Sequence, residues 1–145
     1  MSEFFLPSFE FVPKKAKEVI IQYGAETLFY KDVPIEHRVY TLLRLLNIPP
    51  SMKGYTYIYD ILKTYTTNEY NYTLPSITKD VYPKIAEKYS QTSQRIERCI
   101  RTCIQKSQEK CEPILYSYLF TYNKKITNAE FLSQLIAFLK LISKR

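Results

Sequence analysis

The residues whose types and spacing indicate chemistry lie between positions 92 and 104. Apolar residues recur there at helical spacing and form one stripe: Ile96, Cys99, Ile100, Cys103 and Ile104. At about 100° per residue, the opposite side carries Gln94, Arg98, Thr102 and Gln105, flanked by Arg95 and Arg101. Guanidinium and amide groups can read guanine and adenine edges in a major groove. The segment therefore predicts a helix that packs by one face and reads DNA with the other.

A short amphipathic segment precedes this helix, at residues 84–89. Ser90 and Gln91 supply a turn, and Thr92 or Ser93 can cap the longer helix. Short helix, tight turn and longer helix together make a helix-turn-helix. Periodicity alone leaves open an ordinary amphipathic helix with a solvated basic face. A membrane-surface helix is disfavoured, because the basic face lacks large apolar residues and the apolar side is needed for a core.

The charge distribution favours a polyanion as partner. The chain of 145 residues has a formal net charge of +7. Residues 1–78 contain 8 Lys+Arg and 8 Asp+Glu, whereas residues 79–145 contain 13 and 6, so the second part holds the whole excess. Nucleic acid and anionic lipid both fit such a basic half. A solubilising surface charge is the alternative.

Helical signals dominate the rest of the chain and predict an all-α fold. Helices are expected near residues 13–23, 36–46, 51–65, 77–89, 93–109 and 128–143, with a short irregular one within 113–126. Gly24 fits a helix stop, Pro83 interrupts the fourth segment, and residues 127–130 fit a capping box. Gly54 inside the third helix predicts close helix packing. Residues 66–73 are expected to form a loop.

Phe9–Val12 could add a short strand near the N-terminus, although so brief a run needs a partner strand.

Composition excludes several other classes of protein. A content of 46% apolar residues with only 2 Gly excludes disordered and collagen-like chains. Every run of 18 residues carries polar or charged groups, which argues against a transmembrane helix, and the N-terminus lacks the basic region of a secretory signal. Three cysteines are too few for a disulfide scaffold, so a reducing, cytoplasmic setting is expected. A DNA-binding protein in that setting is expected to be nucleoid-associated.

Catalytic and metal sites are not expected either. Cys99, Cys103 and Cys111 lack a fourth ligand, and the lone His37 is distant in sequence, so a closed zinc site is disfavoured. No Gly-rich phosphate loop and no Ser-His or Cys-His pairing is evident. The sequence therefore predicts a protein that is not an enzyme and needs no cofactor.

Five motifs follow one another along the chain: IPPSMKGYTY at 48–57, SITK at 76–79, YPKIAEKY at 82–89, RIERCIR at 95–101 and TNAEF at 127–131. In this order they strongly resemble the C-terminal DNA-binding effector domain of the sporulation-initiation response regulators of endospore-forming bacteria. The resemblance covers roughly residues 35–144, so it places the DNA-binding domain at residues 35–145 and leaves residues 1–34 as a short N-terminal extension with one helix. It implies a compact all-α bundle of about six helices with a central helix-turn-helix, which binds short promoter boxes in double-stranded DNA and regulates transcription.

The resemblance also implies roles for individual residues. Base reading falls to Arg95, Glu97 and Arg98, together with Thr102, which stands where the family is expected to carry histidine. A hydroxyl reaches less far than an imidazole and cannot become cationic, so affinity or preferred sequence is expected to differ. Phosphate contacts fall to Ser76, Thr78, Lys79, Thr92, Ser93, Gln94 and Arg101.

Full-length relatives carry a receiver domain of roughly 120 residues, and only 34 residues precede the region of resemblance. Asp32 has no acidic cluster beside it, so DNA binding independent of phosphorylation is expected. The alternative is a protein-interaction antagonist that binds a full-length regulator or RNA polymerase instead of DNA. RNA polymerase is also a candidate partner of a DNA-bound protein. A homodimer could form through the last helix or residues 1–34.

Overall fold

The computed structural model describes residues 4–67, 76–120 and 125–143. Seven α-helices lie within these ranges: α1 (Lys14–Gln22), α2 (Ile35–Leu45), α3 (Lys53–Thr67), α4 (Tyr82–Lys88), α5 (Ser93–Lys110), α6 (Pro113–Leu119) and α7 (Asn128–Ser143). Two 3₁₀ turns, Pro7–Phe11 and Glu26–Phe29, and one π-helical turn, Ile77–Val81, complete the regular structure of these ranges. The all-α prediction is confirmed, and the helix count is close to the predicted six: α2 to α7 lie within residues 35–145, and α1 lies before them.

The short strand considered possible at Phe9–Val12 does not form. Pro7 begins a 3₁₀ helix that continues to Phe11, and Phe9 turns inward as its buried residue. An isolated antiparallel bridge instead joins Phe5, which precedes this segment, to Tyr30. An aromatic run without a partner strand cannot satisfy a ladder, so a short helical turn is the better solution for its backbone.

Two other boundaries differ from expectation. The predicted loop at 66–73 begins too early, because α3 continues to Thr67, and residues 68–73 lie outside the described residues. The segment around Pro83 consists of two pieces: the π-helical turn ends at Val81, and α4 begins at Tyr82 with the proline in its first turn. A proline there interrupts no i→i−4 hydrogen bond within α4.

Three helices end in the same left-handed turn. Gly24, Asn47 and Ser90 follow α1, α2 and α4 with φ of 65°, 61° and 54°. The next residue in each case donates its N–H back into the helix, for example Gln91 to the Ala86 carbonyl at 2.9 Å. This is the Schellman motif, which satisfies carbonyls that a helix end leaves free. It ends α4 and turns the chain toward α5.

Replacing Ser90 by glycine is expected to raise the free energy of unfolding by about 0.5–1 kcal/mol, because glycine adopts this φ without the steric cost of a Cβ. Urea unfolding followed by circular dichroism measures the difference. Ser117→Gly within α6 is the matched control and is expected to destabilise by up to about 1 kcal/mol, as glycine does inside a helix. Equal destabilisation by both substitutions would contradict the assignment of Ser90.

The N-terminal segment shares the core of the helical bundle. Its buried side chains are Leu6, Phe9, Val12, Ala16, Val19, Ile20, Ala25, Leu28 and Phe29. α1 packs on α6, and the Phe29 ring meets Phe138 of α7 edge to face. Arg38 of α2 is only 5% exposed, and its guanidinium donates to the carbonyls of Leu28 and Tyr30. The segment therefore packs against α2, α6 and α7.

The centre of the bundle is α3, which packs against α2, α5 and α7. Its approach to α5 is close at Gly54, where an added Cβ would lie 2.4 Å from the Cys99 carbonyl oxygen and 2.6 Å from Cys103 Sγ. The predicted close packing at Gly54 is thus confirmed. Because Gly54 has no side chain, the backbones of α3 and α5 can approach each other this closely.

Candidate nucleic-acid interface

The two faces of α5 divide as its sequence predicts. Ile96, Ile100, Cys103 and Ile104 are buried, and Cys99 is half-buried at the edge. The opposite face is exposed: Gln94, Arg95, Arg98, Arg101, Thr102 and Gln105. Within residues 4–67, 76–120 and 125–143, no carboxylate pairs with the guanidinium of Arg95 or Arg98. Two arginines thus stand free in solvent on adjacent turns of one helix.

The start of α5 is fixed by a hydroxyl cap. Thr92 Oγ1 accepts a hydrogen bond from the Arg95 backbone N–H at 3.1 Å, so the N-cap is Thr92, and Ser93 is the first helical residue. Ser76 caps the π-helical turn in the same manner, accepting from the Lys79 N–H at 3.3 Å. A helix start leaves N–H groups without intrahelical partners, which favours anions; at the Ser76 turn one of these groups, the Ser76 N–H, already donates to Asp80 Oδ2 at 3.2 Å.

Glu97 and Arg101 form an ion pair one turn apart on α5. The Glu97 carbonyl also accepts a hydrogen bond from Asn128 Nδ2 at 3.0 Å, which places this residue on the side of α5 that faces α7. The i,i+4 spacing was a sequence signal for the pair. A carboxylate at this flank lies beside the two free arginines and holds Arg101 in place.

Thr102 uses its hydroxyl within α5. Oγ1 donates to the Arg98 carbonyl at 3.1 Å, the usual back-bond of a helical threonine. The hydroxyl keeps lone pairs that can accept from a ligand, and the residue as a whole is exposed.

Two polar clusters hold the helix-turn-helix from opposite sides. On one side, Asp60 of α3 accepts from Lys88 Nζ at 2.5 Å and from Tyr89 Oη at 2.8 Å, at the end of α4. On the other side, Asn128 of α7 donates to Tyr82 Oη at 3.1 Å as well as to Glu97 of α5. Since α4 and α5 are bound to the same scaffold, their relative angle is fixed.

The Asp60 carboxyl is half-buried, which alone would raise its pKa, but the hydrogen bonds from Lys88 and Tyr89 outweigh burial and lower the pKa below 3.8. Asp60→Asn is therefore expected to lower the free energy of unfolding at pH 7 by about 1 kcal/mol, because asparagine lacks the negative charge to which Lys88 and Tyr89 donate their hydrogen bonds. A depressed folded-state pKa contributes stability above the ordinary value, and this stability is lost as the pH falls through the folded pKa.

The difference between wild type and Asp60→Asn should accordingly shrink in acid, well below pH 3.8. Urea titrations at several pH values measure it, with Glu109→Gln on the exposed side of α5 as the control. A difference that stays constant from neutral to acid pH would contradict the role of the Asp60 charge.

Two grooves run beside the exposed face of α5, and each contains a lysine that sequence reasoning missed. The smaller groove, of about 200 Å³, lies toward the start of α3 and is lined by Met52, Lys53, Gly54, Cys99 and Thr102. The larger, of about 490 Å³, contains Thr78, Glu97 and Arg101 together with Lys125 and the start of α7. Lys53 and Lys125 are exposed. Lys53 lies within the motif at 48–57, and Lys125 lies next to the motif at 127–131. Only the packing of α3 and α7 on α5 brings the two lysines to the flanks of α5.

The cysteines behave as small core residues. Cys103 and Cys111 are buried, and burial raises the pKa of both thiols to about 11. In the described ranges, no group of three or more His, Cys, Asp or Glu side chains could hold a metal ion. None of the described helices is both long and apolar enough to cross a membrane.

A short helix, a left-handed turn and a longer helix with an exposed basic face define a helix-turn-helix domain of the DNA-binding class. The family described as "Sporulation initiation factor Spo0A C terminal" matches residues 39–139, which is most of the chain. The chain belongs to this family of sporulation transcription factors, whose domain is a DNA-binding effector domain and not an enzyme.

Proposed function

We propose that this protein is a sequence-specific double-stranded DNA-binding transcription regulator that inserts α5 into the major groove. The observation that carries the proposal is the pair of free, exposed guanidiniums of Arg95 and Arg98 on a helix whose other face is buried. The arginine guanidinium can donate two parallel hydrogen bonds to O6 and N7 of one guanine. Glu97 can accept from a cytosine amino group, and the Thr102 methyl can contact thymine.

Phosphate contacts on both sides of the groove complete the proposed interface. Hydroxyls, amides and backbone N–H groups at the two capped helix starts supply one set, from Ser76, Thr78, Lys79, Thr92, Ser93 and Gln94. Arg101 and Lys125 flank α5 on the α7 side, and Lys53 flanks it on the α3 side. Cations on both flanks match the two sugar-phosphate strands that border a major groove.

We further propose that the 145-residue chain binds DNA without phosphorylation. The position of residues 4–34 supports this, because they pack against α2, α6 and α7 and leave the exposed face of α5 uncovered. Dephosphorylated and phosphoryl-donor-treated protein are expected to bind the same duplex with equal affinity.

Selection of bound fragments from random duplex DNA tests the function. We expect a short enriched box, and binding of that box to weaken with salt at a slope of about −4 to −5 in log–log form if about five phosphates are contacted. Absence of an enriched sequence, with retention of a protein partner in its place, would favour the antagonist and overturn the proposal.

A further inference from the structure

A second concave surface lies on the molecule apart from the exposed face of α5. We define the α2–α3 groove as the recess between the second half of α2, the turn at residues 47–50, the start of α3 and the second half of α5. Its lining residues are Tyr40, Arg44, Asn47, Ile48, Pro49, Pro50, Tyr55 and Lys106. Its volume is about 340 Å³, within the range of small binding pockets.

The walls of the groove are mostly apolar. Tyr40 is 46% exposed, Tyr55 and Pro49 are half-buried, and Ile48 closes the floor. Tyrosine and proline rings offer rigid apolar faces that lose little conformational entropy on binding, and tyrosine is enriched at protein interfaces. Such a recess suits an aromatic or aliphatic side chain.

The rim carries positive charge without a carboxylate among the lining residues. Arg44 donates to the carbonyls of Tyr23 and Gly24, at 2.9 and 3.3 Å, which orients its guanidinium but leaves the charge unneutralised. The Lys106 side chain is exposed and forms no hydrogen bond or ion pair within the described ranges. The surface is therefore complementary to acidic groups.

We propose that the α2–α3 groove is a docking site for an acidic peptide segment of a partner protein, with a leucine or aromatic side chain in the recess and carboxylates on Arg44 and Lys106. An apolar recess of this size favours a side chain over a phosphate, which needs a polar surface of donors. Lys106 lies two turns beyond Arg98, so the groove and the exposed basic face share the helix α5. The proposal stands independently of whether the protein binds DNA.

The test is selection of peptides that bind the full chain from a random dodecapeptide library displayed on phage. The enriched peptides are then synthesised and their binding to the chain is measured. We expect enriched peptides with net negative charge and at least one aromatic or leucine residue. Amide shifts on their addition should cluster at Tyr40, Ile48, Tyr55 and Lys106. Lys106→Glu and Tyr40→Ala should each weaken binding about tenfold. Lys14→Glu on α1, with the same charge change, should leave it unaltered, and thermal melting verifies that all three variants fold.

Several results would overturn the proposal. These are no enrichment, enrichment of neutral or basic peptides, or enriched acidic peptides that bind Lys106→Glu and Tyr40→Ala as they bind the wild type. Shifts at Tyr40 and Lys106 caused by duplex DNA or by a thymidine oligonucleotide, without peptide binding, would assign the groove to nucleic acid instead.

Discussion

Replacing Arg98 by alanine is expected to weaken binding to the selected duplex by about 1–3 kcal/mol, which is about 5- to 150-fold. The reason is geometric, because the guanidinium is exposed, unpaired and central on the polar face of α5, where two parallel hydrogen bonds to one guanine are available. Arg95→Ala should cost a similar amount. Fluorescence anisotropy with a labelled duplex measures both.

Loss of sequence preference distinguishes base reading from simple charge. Arg98→Ala should bind the selected duplex and a scrambled duplex with more nearly equal affinity, whereas Lys79→Ala should weaken both alike. Lys14→Ala on α1 is the control for net charge. Thermal unfolding should be unchanged in Arg98→Ala, since the side chain is exposed and forms no ion pair with the described residues. Retention of full affinity and specificity by Arg98→Ala would refute its assignment.

Substituting Gly54 by alanine is expected to lower the free energy of unfolding by about 1–2 kcal/mol. The new Cβ would lie 2.4 Å from the Cys99 carbonyl oxygen, so α3 and α5 must move apart. Overpacking of this kind costs about 1–3 kcal/mol or more, and the higher helix propensity of alanine offsets about 1 kcal/mol. Affinity for DNA should fall as well, because α5 would shift relative to α4.

Two further variants isolate the cause. Thr56→Ala, on the exposed side of α3, should have little effect on stability. Gly54→Ala should destabilise the Cys103→Ala variant less than it destabilises the wild type. The reason is that one of the two obstructing groups, the thiol 2.6 Å away, is gone from that background. If Gly54→Ala is as stable as wild type, the close approach of α3 and α5 is not as described.

Local sequence signals were sufficient for the elements that carry the site. The stripe from Ile96 to Ile104 predicts both faces of α5, because helical periodicity alone decides which residues point inward. The capping box at α7 is confirmed in both directions, with Thr127 N–H donating to Glu130 Oε1 at 3.0 Å and Glu130 N–H donating to Thr127 Oγ1 at 3.1 Å. Caps and periodicity depend only on neighbours within one turn.

Features that depend on packing between distant segments were not predictable. Asp60 accepts hydrogen bonds from Lys88 and Tyr89, which lie nearly 30 positions further along the chain, and no spacing rule indicates such contacts. Lys53 and Lys125 lie at opposite flanks of α5 only because α3 and α7 pack there. The strand considered possible at Phe9–Val12 could not be decided for the same reason, since a strand needs a partner that local composition does not reveal.

The most direct measurement replaces each guanine of the selected duplex by 7-deazaguanine, which lacks the N7 acceptor but keeps Watson–Crick pairing. At one or two positions, this replacement should weaken the wild-type protein about tenfold and leave the already weakened Arg95→Ala or Arg98→Ala variant unchanged. Equal losses in wild type and both variants at every position, or no loss at any guanine, would contradict reading of the major groove by the exposed arginines of α5.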